Sequence, residues 1–345
     1  MCIRDRLSSL NEVGGDPAVL GLPAPVMHDA ARDAVVRSTR TLNATATHDT
    51  KRGEDARVRI GMLAEMPARW HDSSQRLLEW GRRHAGASGP SPVAAYLFMQ
   101  TLVGAHPISP DRAVAYMQKA VREAKQETSW LDPNQAYEAD VERYVRGAVA
   151  DPEIINEIES LLDAMTPAWQ VAALTQTLMK LVLPGVPDIY QGCELWDLRL
   201  VDPDNRTPVD YDLRRDALRR IAAADVDGIM AHMSEGLPKL HLLQQGLRLR
   251  HRCAAAFAAG AAYRPLLAGG DAAEHAWGCI RGDGEVVALG VLHPLRLSSR
   301  WNDSSVALPA GRWRNVLAGD EVVGGDVRVA SLLERFPVAL LERVG

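Results

Sequence analysis

The stretch Thr41-Leu-Asn-Ala-Thr-Ala-Thr47 is followed at once by His48-Asp-Thr-Lys-Arg-Gly-Glu-Asp55. The first seven residues are rich in β-branched side chains and contain neither glycine nor proline, a pattern that predicts a short buried strand. The next eight residues are almost all polar or charged. A dense polar cluster directly after a buried strand indicates a functional site at the carboxyl end of that strand.

The His48–Asp49 pair also has a plain structural interpretation. Asp49 would then belong to the N-terminal cap of the next helix and form a surface salt bridge to Lys51 or Arg52. The density of charged groups within residues 48–55 favours the functional interpretation.

A helical block is predicted at residues 54–183, ending at Pro184-Gly185. Four dipeptides in the block place a capping residue before a proline, the arrangement typical of a helix start. They are Ser109-Pro110, Asp132-Pro133, Asp151-Pro152 and Thr166-Pro167.

A second short strand is predicted within residues 185–194, and polar side chains again surround its carboxyl end. These side chains are Asp188, Tyr190, Gln191 and Glu194. From about residue 262 the pattern changes to alternating strands. Gly282-Asp-Gly284 separates two of them, at 275–281 and 285–292, and predicts a hairpin.

Strands that alternate with helices and end in polar clusters are typical of a βα-barrel, whose catalytic groups follow its strands. We predict an α/β fold: the C-terminal portion of a (β/α)8 TIM barrel with a large helical insertion, followed by a small antiparallel β-sandwich domain. The predicted divisions are 1–53 (end of the barrel), 54–165 (helical insertion), 166–255 (last barrel strand and helices) and 256–345 (β domain). Since two strands cannot close a barrel of eight, we expect the rest of the barrel upstream of residue 1. We interpret the first residues as a seam, where an upstream domain has been cut off or replaced; a natural short N-terminus is the alternative.

Composition excludes several classes of protein. The formal net charge is −5, the pI is near 6.1, and no basic run is present, which argues against a nucleic-acid partner. No stretch approaches the roughly 20 apolar residues of a membrane span, and no signal peptide is visible. The four cysteines lack Cys-x-x-Cys spacing, so neither a disulfide framework nor a zinc site is predicted. We expect a cytoplasmic protein without a metal or a cofactor.

The segment Thr47-His-Asp-Thr-Lys-Arg-Gly-Glu-Asp55 resembles a signature of the maltooligosyl trehalose synthases, a family of the alpha-amylase superfamily. Its His-Asp core is similar to the superfamily motif that ends the seventh barrel strand. Further blocks of resemblance are Asn11-Glu-Val-Gly-Gly-Asp-Pro17, Gln100-Thr-Leu-Val-Gly-Ala105, Thr128-Ser-Trp130, Pro184-Gly-Val-Pro-Asp-Ile-Tyr-Gln-Gly192, Glu194-Leu-Trp-Asp197 and Asp202-Pro-Asp-Asn-Arg206. Together they cover nearly the whole chain after residue 10.

The resemblance implies an intramolecular transglycosylation, in which the reducing-end α-1,4 bond of a maltooligosaccharide becomes an α,α-1,1 (trehalose) bond. Asp49 matches the third catalytic carboxylate, which stabilises an oxocarbenium-like sugar, and His48 matches the histidine beside it. The nucleophile Asp and the acid Glu of such enzymes end the fourth and fifth strands. Four acidic residues stand too close before Asp49 to fill those roles: Asp5, Glu12, Asp16 and Asp29. We therefore expect this chain to be inactive alone.

The resemblance also implies substrate-binding side chains. Lys51 and Arg52 match positions that would hold the released glucose, although charge balance with Glu54 and Asp55 explains them equally well. The other expected substrate-binding residues are Tyr190, Gln191, Glu194 and Arg206, the last of which would position Asp49 or Asp204 by a bidentate pair.

The implied partners are a maltooligosaccharide substrate and, through a functional link, a maltooligosyl trehalose trehalohydrolase. The helical insertion would close the pocket and exclude water. Two residues depart from the family pattern, Thr207 in place of a second arginine and His241 in place of an aromatic residue. They bear on the preferred substrate length rather than on the reaction type.

Two other functions remain open. The chain could belong to another hydrolase or glucanotransferase of the superfamily, although the extension Lys51-Arg-Gly-Glu-Asp55 argues against this. It could also be a non-catalytic glucan-binding module.

Overall fold

The computed structural model describes residues 22–37 and 40–344. The predicted seam, the block at residues 11–17, Cys2 and the acidic residues Asp5, Glu12 and Asp16 lie outside these ranges. Within them, no helix is both long enough and apolar enough to cross a membrane.

The chain combines helices with strands. In chain order the helices are α1 Ala24–Arg37, α2 Glu54–Met62, α3 Pro67–Gly81, α4 Pro92–Ala105, α5 Pro110–Ala124, α6 Gln135–Ala150, α7 Pro152–Val182, α8 Tyr211–Ala223, α9 Val226–Met230, α10 Leu237–Arg252, α11 Pro294–Leu297 and α12 Val329–Leu332. The strands are β1 Leu42–Ala44, β2 Val186–Asp188, β3 Tyr263–Pro265, β4 Ala268–Gly269, β5 Ala276–Arg281, β6 Val286–Val291, β7 Ser305–Asn315, β8 Glu321–Arg328 and β9 Ala339–Arg343. Both predicted strands of the barrel region are present but shorter than expected.

The chain divides into two compact units. Among the described residues, the first unit contains His48–Pro167 and Leu198–Thr207. The second contains residues 22–37 and 40–47, Ala168–Asp197 and 208–344. The four-part division predicted from sequence stays a prediction.

The first unit holds the predicted helical block as far as Pro167, together with the loop at 198–207. Its core is built around α4, whose residues from Phe98 to Ala105 are all buried, and the neighbouring helices contribute apolar side chains to it. The fully buried members include Leu77, Phe98, Met99, Leu102, Val103, Val145, Ile154, Ile158 and Leu161.

Two of the four predicted helix starts are correct. Ser109 accepts a hydrogen bond from the Arg112 amide at the start of α5, and Asp151 accepts one from the Glu153 amide at the start of α7. The other two predictions are wrong, for different physical reasons.

At Asp132-Pro133 the chain turns instead of starting a helix. The Ser129 amide donates to the Asp132 carbonyl, and the Asp132 amide donates to the Ser129 hydroxyl. The helix starts two residues later, because the Asn134 side chain caps it by accepting from the Tyr137 amide.

At Thr166-Pro167 no helix begins, because α7 continues through the proline. The Thr166 hydroxyl donates to the Leu162 carbonyl one turn earlier. Proline in a helix interior costs about 3 kcal/mol, and the burial of Met165 and Trp169 on either side offsets that cost.

In the second unit, β1 and β2 form a parallel pair, with Leu42 opposite Val186. The Asn43 amide group donates to the carbonyls of Leu183 and Pro184. Gly185 has a φ of 119°, and a Cβ there would lie 2.7 Å from the Asn43 Oδ1. Glycine is therefore required where the chain enters β2.

The rest of the second unit is built on an antiparallel sheet of seven strands, in the order β3-β5-β6-β9-β7-β4 with β8 paired to β7. The predicted hairpin is confirmed, since β5 and β6 pair across Gly282-Asp-Gly284. One face of the sheet packs against α7 and α10 through Trp277, Cys279, Val286, Ala288 and Leu340. The other face buries a second apolar cluster around Val287, Leu289 and Trp313. The sandwich arrangement stays a prediction.

Candidate active site

His48 and Asp49 follow β1 after residues 45–47 and contact each other. The His48 Nε2 is 3.1 Å from the Asp49 Oδ2, and the two side chains are 61% and 60% exposed. A carboxylate in contact with an imidazole and open to the surface is suited to accept hydrogen bonds from sugar hydroxyls. The geometry therefore allows the role expected of Asp49.

The backbone of this segment is held by the loop at 198–207. The Asn205 amide group donates to the His48 carbonyl at 3.1 Å. The Gly53 amide donates to the Arg199 carbonyl at 2.6 Å, and Arg52 forms an antiparallel bridge with Leu200. These contacts fix both ends of the stretch that carries Asp49.

The loop is in turn held by a charged pair that sequence reasoning missed. Arg112 donates from Nε to the Asp204 Oδ1 and from Nη2 to the Asp204 Oδ2, both at 2.8 Å. The Leu200 amide donates to the same carboxylate at 2.7 Å. Arg112 and Asp204 are 92 residues apart, so no local sequence pattern indicated that they would pair.

Lys51 and Arg206 both face acidic side chains. The Lys51 Nζ is 3.1 Å from the Glu123 Oε2, and the Arg206 Nη2 is 3.7 Å from the Asp202 Oδ2. A hydrogen bond from Lys119, at 2.5 Å, lowers the pKa of Asp202, and the charges of Arg206 and Lys51 lower it further. Arg206 thus pairs with Asp202, and the bidentate partner of Asp204 is Arg112.

Arg52 differs from Lys51 in its burial. Arg52 is only 3% exposed. The acidic residues that follow it in the chain, Glu54 and Asp55, are also buried, at 1% and 0% exposed. The guanidinium lies 5.9 Å from the centre of the Tyr116 ring. Burial among acidic neighbours favours charge balance over sugar contact for Arg52.

The remaining expected residues belong to the second unit. Glu194 accepts from the Arg214 Nε at 2.9 Å, and the Arg214 Nη2 donates to the Gly192 carbonyl at 2.9 Å. Tyr190 is half-buried and Gln191 is exposed. The turn that carries these three side chains is fixed by Arg214.

The two departures from the family pattern have different surroundings. The Thr207 hydroxyl donates to the Asp204 carbonyl at 2.8 Å. His241 is buried against Phe336, and its Nε2 donates to the Leu317 carbonyl at 3.1 Å. Burial lowers the pKa of His241, so this histidine is a neutral core residue of the second unit.

Most tryptophans of the helical block have a packing role. Trp70 is buried and its Nε1 donates to the Tyr96 hydroxyl at 3.0 Å. Trp130 is the exception, because 57% of it is exposed. In the part of the chain that the structure describes, no group of three His, Cys, Asp or Glu side chains could hold a metal ion.

The chain is similar to maltooligosyl trehalose synthases over nearly all its length. A candidate maltooligosyl trehalose synthase of Mycobacterium tuberculosis is 37% identical over 351 aligned residues, which include 99% of this chain and 43% of that protein. The structure of the maltooligosyltrehalose synthase from Arthrobacter ramosus is 38% identical, with a TM-score of 0.87 over 98% of this chain and 43% of the other. A Sulfolobus tokodaii structure, of a hypothetical maltooligosyl trehalose synthase, is 26% identical with a TM-score of 0.77. A comparison with protein-family models gave no match.

These similarities confirm the resemblance found in the sequence. The mixed fold, with its antiparallel sheet, matches the solved synthases. The chain spans about 43% of the length of the curated relatives that it matches.

Proposed function

We propose that this chain is the part of a trehalose-forming glucosylmutase that stabilises the transition state. The contact between His48 Nε2 and Asp49 Oδ2 carries this proposal, because it holds an exposed carboxylate in one orientation. Hydrogen bonds from sugar hydroxyls to such a carboxylate strengthen as positive charge develops on the ring, so they favour the transition state. The similarity to maltooligosyl trehalose synthases supports the choice of a maltooligosaccharide as substrate.

The proposed reaction breaks one glycosidic bond and forms another without consuming water. A carboxylate nucleophile attacks C1 of the sugar next to the reducing end while an acidic Glu protonates O4 of the leaving glucose. That glucose turns over, its anomeric hydroxyl returns a proton to the Glu, and its O1 attacks C1 to release the nucleophile. In this chain Asp49 and His48 bind the reacting sugar. The nucleophile and the acid come from outside it, so the chain alone converts nothing.

We also propose that β1 and β2 are the seventh and eighth strands of a (β/α)8 barrel. Their parallel pairing supports this. Parallel strands are normally covered on both faces, yet Leu42 is 62% exposed and Val186 is 46% exposed. Further barrel strands would cover these side chains.

Substrate binding by Lys51 and Arg206 in the first unit belongs to the same proposal, and so does closure of the helical block over a sugar bound at Asp49. Tyr190, Gln191 and Glu194 are proposed as substrate-binding residues of the second unit. The product, a glucan chain that ends in trehalose, is what a trehalohydrolase would cleave, which supports the expected functional link.

A chimera tests the proposed function. This chain is joined to the part of the Mycobacterium tuberculosis relative that the match leaves out, and the product is incubated with maltopentaose. We expect reducing ends to disappear without release of glucose. Asp49→Asn should lower turnover by about a thousandfold, on the scale of a lost transition-state contact, whereas the exposed Asp212→Asn should not change it.

The readout separates the alternative functions. A hydrolase would increase the number of reducing ends, and a glucanotransferase would redistribute chain lengths at a constant number of ends. A non-catalytic glucan-binding module would give a chimera that binds maltopentaose without converting it. Each of these results contradicts the proposal, and so does conversion of maltopentaose by the present chain alone.

A further inference from the structure

Two large apolar side chains, Trp130 and Leu131, are exposed on the loop between α5 and α6. Trp130 is 57% exposed and Leu131 is 99% exposed. Burying an indole rather than exposing it is normally favourable by several kcal/mol. An exposed indole on an ordered loop therefore requires an explanation.

The loop is held by a buried network of hydrogen bonds. Glu138 accepts from the Arg122 Nε at 2.8 Å and the Arg122 Nη2 at 2.6 Å, and from the Thr128 hydroxyl at 2.7 Å. The Asn134 amide donates to the Thr128 oxygen at 2.9 Å. These bonds lower the pKa of Glu138, the one from Arg122 most. The loop is thus fixed at both ends before any ligand binds.

The same network fixes the orientation of the indole. The Arg122 guanidinium lies 4.8 Å from the centre of the Trp130 ring, within the range of a cation–π contact. Because two of its nitrogens donate hydrogen bonds to Glu138, the guanidinium is held in one position. It covers one side of the ring, and more than half of Trp130 remains open.

Arg122, which contacts the Trp130 ring, lies on α5 next to a residue that contacts the candidate active site. Glu123, next to Arg122, is 3.1 Å from the Lys51 Nζ. Lys51 is two residues from Asp49. Asp49 and Trp130 therefore belong to the same unit and are connected through α5.

We propose that Trp130 is a stacking platform for one glucose ring of an α-1,4-glucan, at a position separate from the reacting sugar. The choice of a glucan rests on the proposed function, whereas the platform rests on the geometry of the loop. A fixed indole offers a flat apolar face that matches the C–H face of a pyranose. Exposed carboxylates in the loop, at Glu127 and Asp132, are acceptors for the sugar hydroxyls.

Other ligands fit the surface less well. An indole buries at most about 250 Å², whereas a stable protein interface takes about 800 Å² from each partner. The loop carries acidic side chains and the chain has a net charge of −5, which opposes binding to nucleic acid. One or two sugar rings match the size of the platform, and because they are uncharged they are not repelled by its carboxylates.

Affinity electrophoresis of the purified chain tests this proposal. Native gels containing soluble amylose should retard the wild-type chain, and Trp130→Ala should weaken binding about tenfold, which corresponds to about 1.4 kcal/mol. Trp130→Tyr, which keeps a flat ring, should bind within about threefold of wild type. Leu267→Ala, which removes a side chain 70% exposed in the second unit, serves as the matched control and should bind like wild type.

Three results would overturn the platform: no retardation of the wild-type chain, equal retardation of Trp130→Ala, or Trp130-dependent retardation by a soluble β-1,4-glucan that equals that by amylose. Thermal unfolding of Trp130→Ala should match wild type, because the indole is outside the core. Gel retardation measures binding of amylose by this chain and does not depend on turnover. Failure of the platform would therefore appear in the gels, whereas failure of the proposed function would appear as a chimera that forms no non-reducing product.

Discussion

Arg112 holds Asp204 through two parallel hydrogen bonds of 2.8 Å, and Asp204 uses one of the same oxygens to accept the Leu200 amide. A helix is thereby fastened to the loop that binds the His48 carbonyl through Asn205. Arg112 thus helps to position the stretch that carries Asp49 through this loop.

Arg112→Lys should loosen this loop. Lysine cannot reproduce the planar fork of the guanidinium, and the pair is partly exposed, so we expect the free energy of unfolding to fall by about 1 kcal/mol. Hydrogen exchange at the Leu200 amide should accelerate.

Arg146→Lys provides the control, since Arg146 pairs with Asp111 at an exposed site. Its unfolding and the exchange at Leu200 should match wild type. If hydrogen exchange at the Leu200 amide is unchanged in Arg112→Lys, the loop at 198–207 does not depend on the pair between Arg112 and Asp204.

Gly185→Ala should destabilise the entrance to β2. The new Cβ would lie 2.7 Å from the Thr41 carbonyl oxygen, and the φ of 119° is unfavourable for alanine. We expect the free energy of unfolding to fall by about 3 kcal/mol.

Gly269→Ala is the matched control in the same unit, because a Cβ there meets nothing within 4 Å. Chemical denaturation should give it a stability within about 1 kcal/mol of wild type. Equal effects of the two substitutions would rule out the steric argument.

The Glu138 network predicts a defined dependence of stability on pH. The pKa of Glu138 in the folded chain is lower than its ordinary 4.5. Its contribution is therefore fully present above pH 4.5 and is lost as the pH falls through the lowered pKa. Glu138→Gln should cost about 1–2 kcal/mol at pH 7, and thermal unfolding should show the gap to wild type closing below pH 4.5.

Glu142→Gln, on the same helix, removes an exposed pair with Arg146. We expect almost no effect at any pH. If the gap between Glu138→Gln and wild type stays constant with pH, the carboxylate charge does not hold the loop.

Replacing the buried Arg281 with an apolar residue should stabilise the chain. Arg281 is 2% exposed, and its Nε and Nη1 have no hydrogen-bond acceptor among the described residues. Burial lowers the pKa of its guanidinium. Arg281→Met should raise the free energy of unfolding by about 1 kcal/mol, the relief of desolvation exceeding the lost contacts with the Phe257 and Tyr263 rings.

Arg281→Lys keeps the charge and should destabilise the chain in the same denaturation experiment. A loss of stability in Arg281→Met would mean that the guanidinium contributes more through its ring contacts than its burial costs.

Local chemistry decided which features could be predicted from the sequence. The caps at Ser109 and Asp151 act within three residues, so the residues themselves specified them. Both Asp132 and Asn134 have side chains that can accept a hydrogen bond from the first turn of the helix. The turn at residues 129–132 determines that Asn134 is the cap, and that turn is not evident from the local sequence. The interior position of Pro167 depends on buried neighbours that a local pattern does not contain.

The candidate site divides in the same way. The contact of His48 with Asp49 follows from their adjacency and could be anticipated. The clamp from Arg112 to Asp204 joins residues that are 92 positions apart, so no spacing rule predicts it. The burial of Arg52 likewise depends on the loop that folds across it.

The parallel pair formed by β1 and β2 has a consequence for the behaviour of the chain in solution. In the described residues this small sheet contains two strands, so the outer backbone groups of each have no strand partner. Such unpaired strand edges can pair with a strand of another polypeptide, and the exposed apolar side chains of Leu42 and Val186 favour that contact. Self-association should therefore increase with concentration.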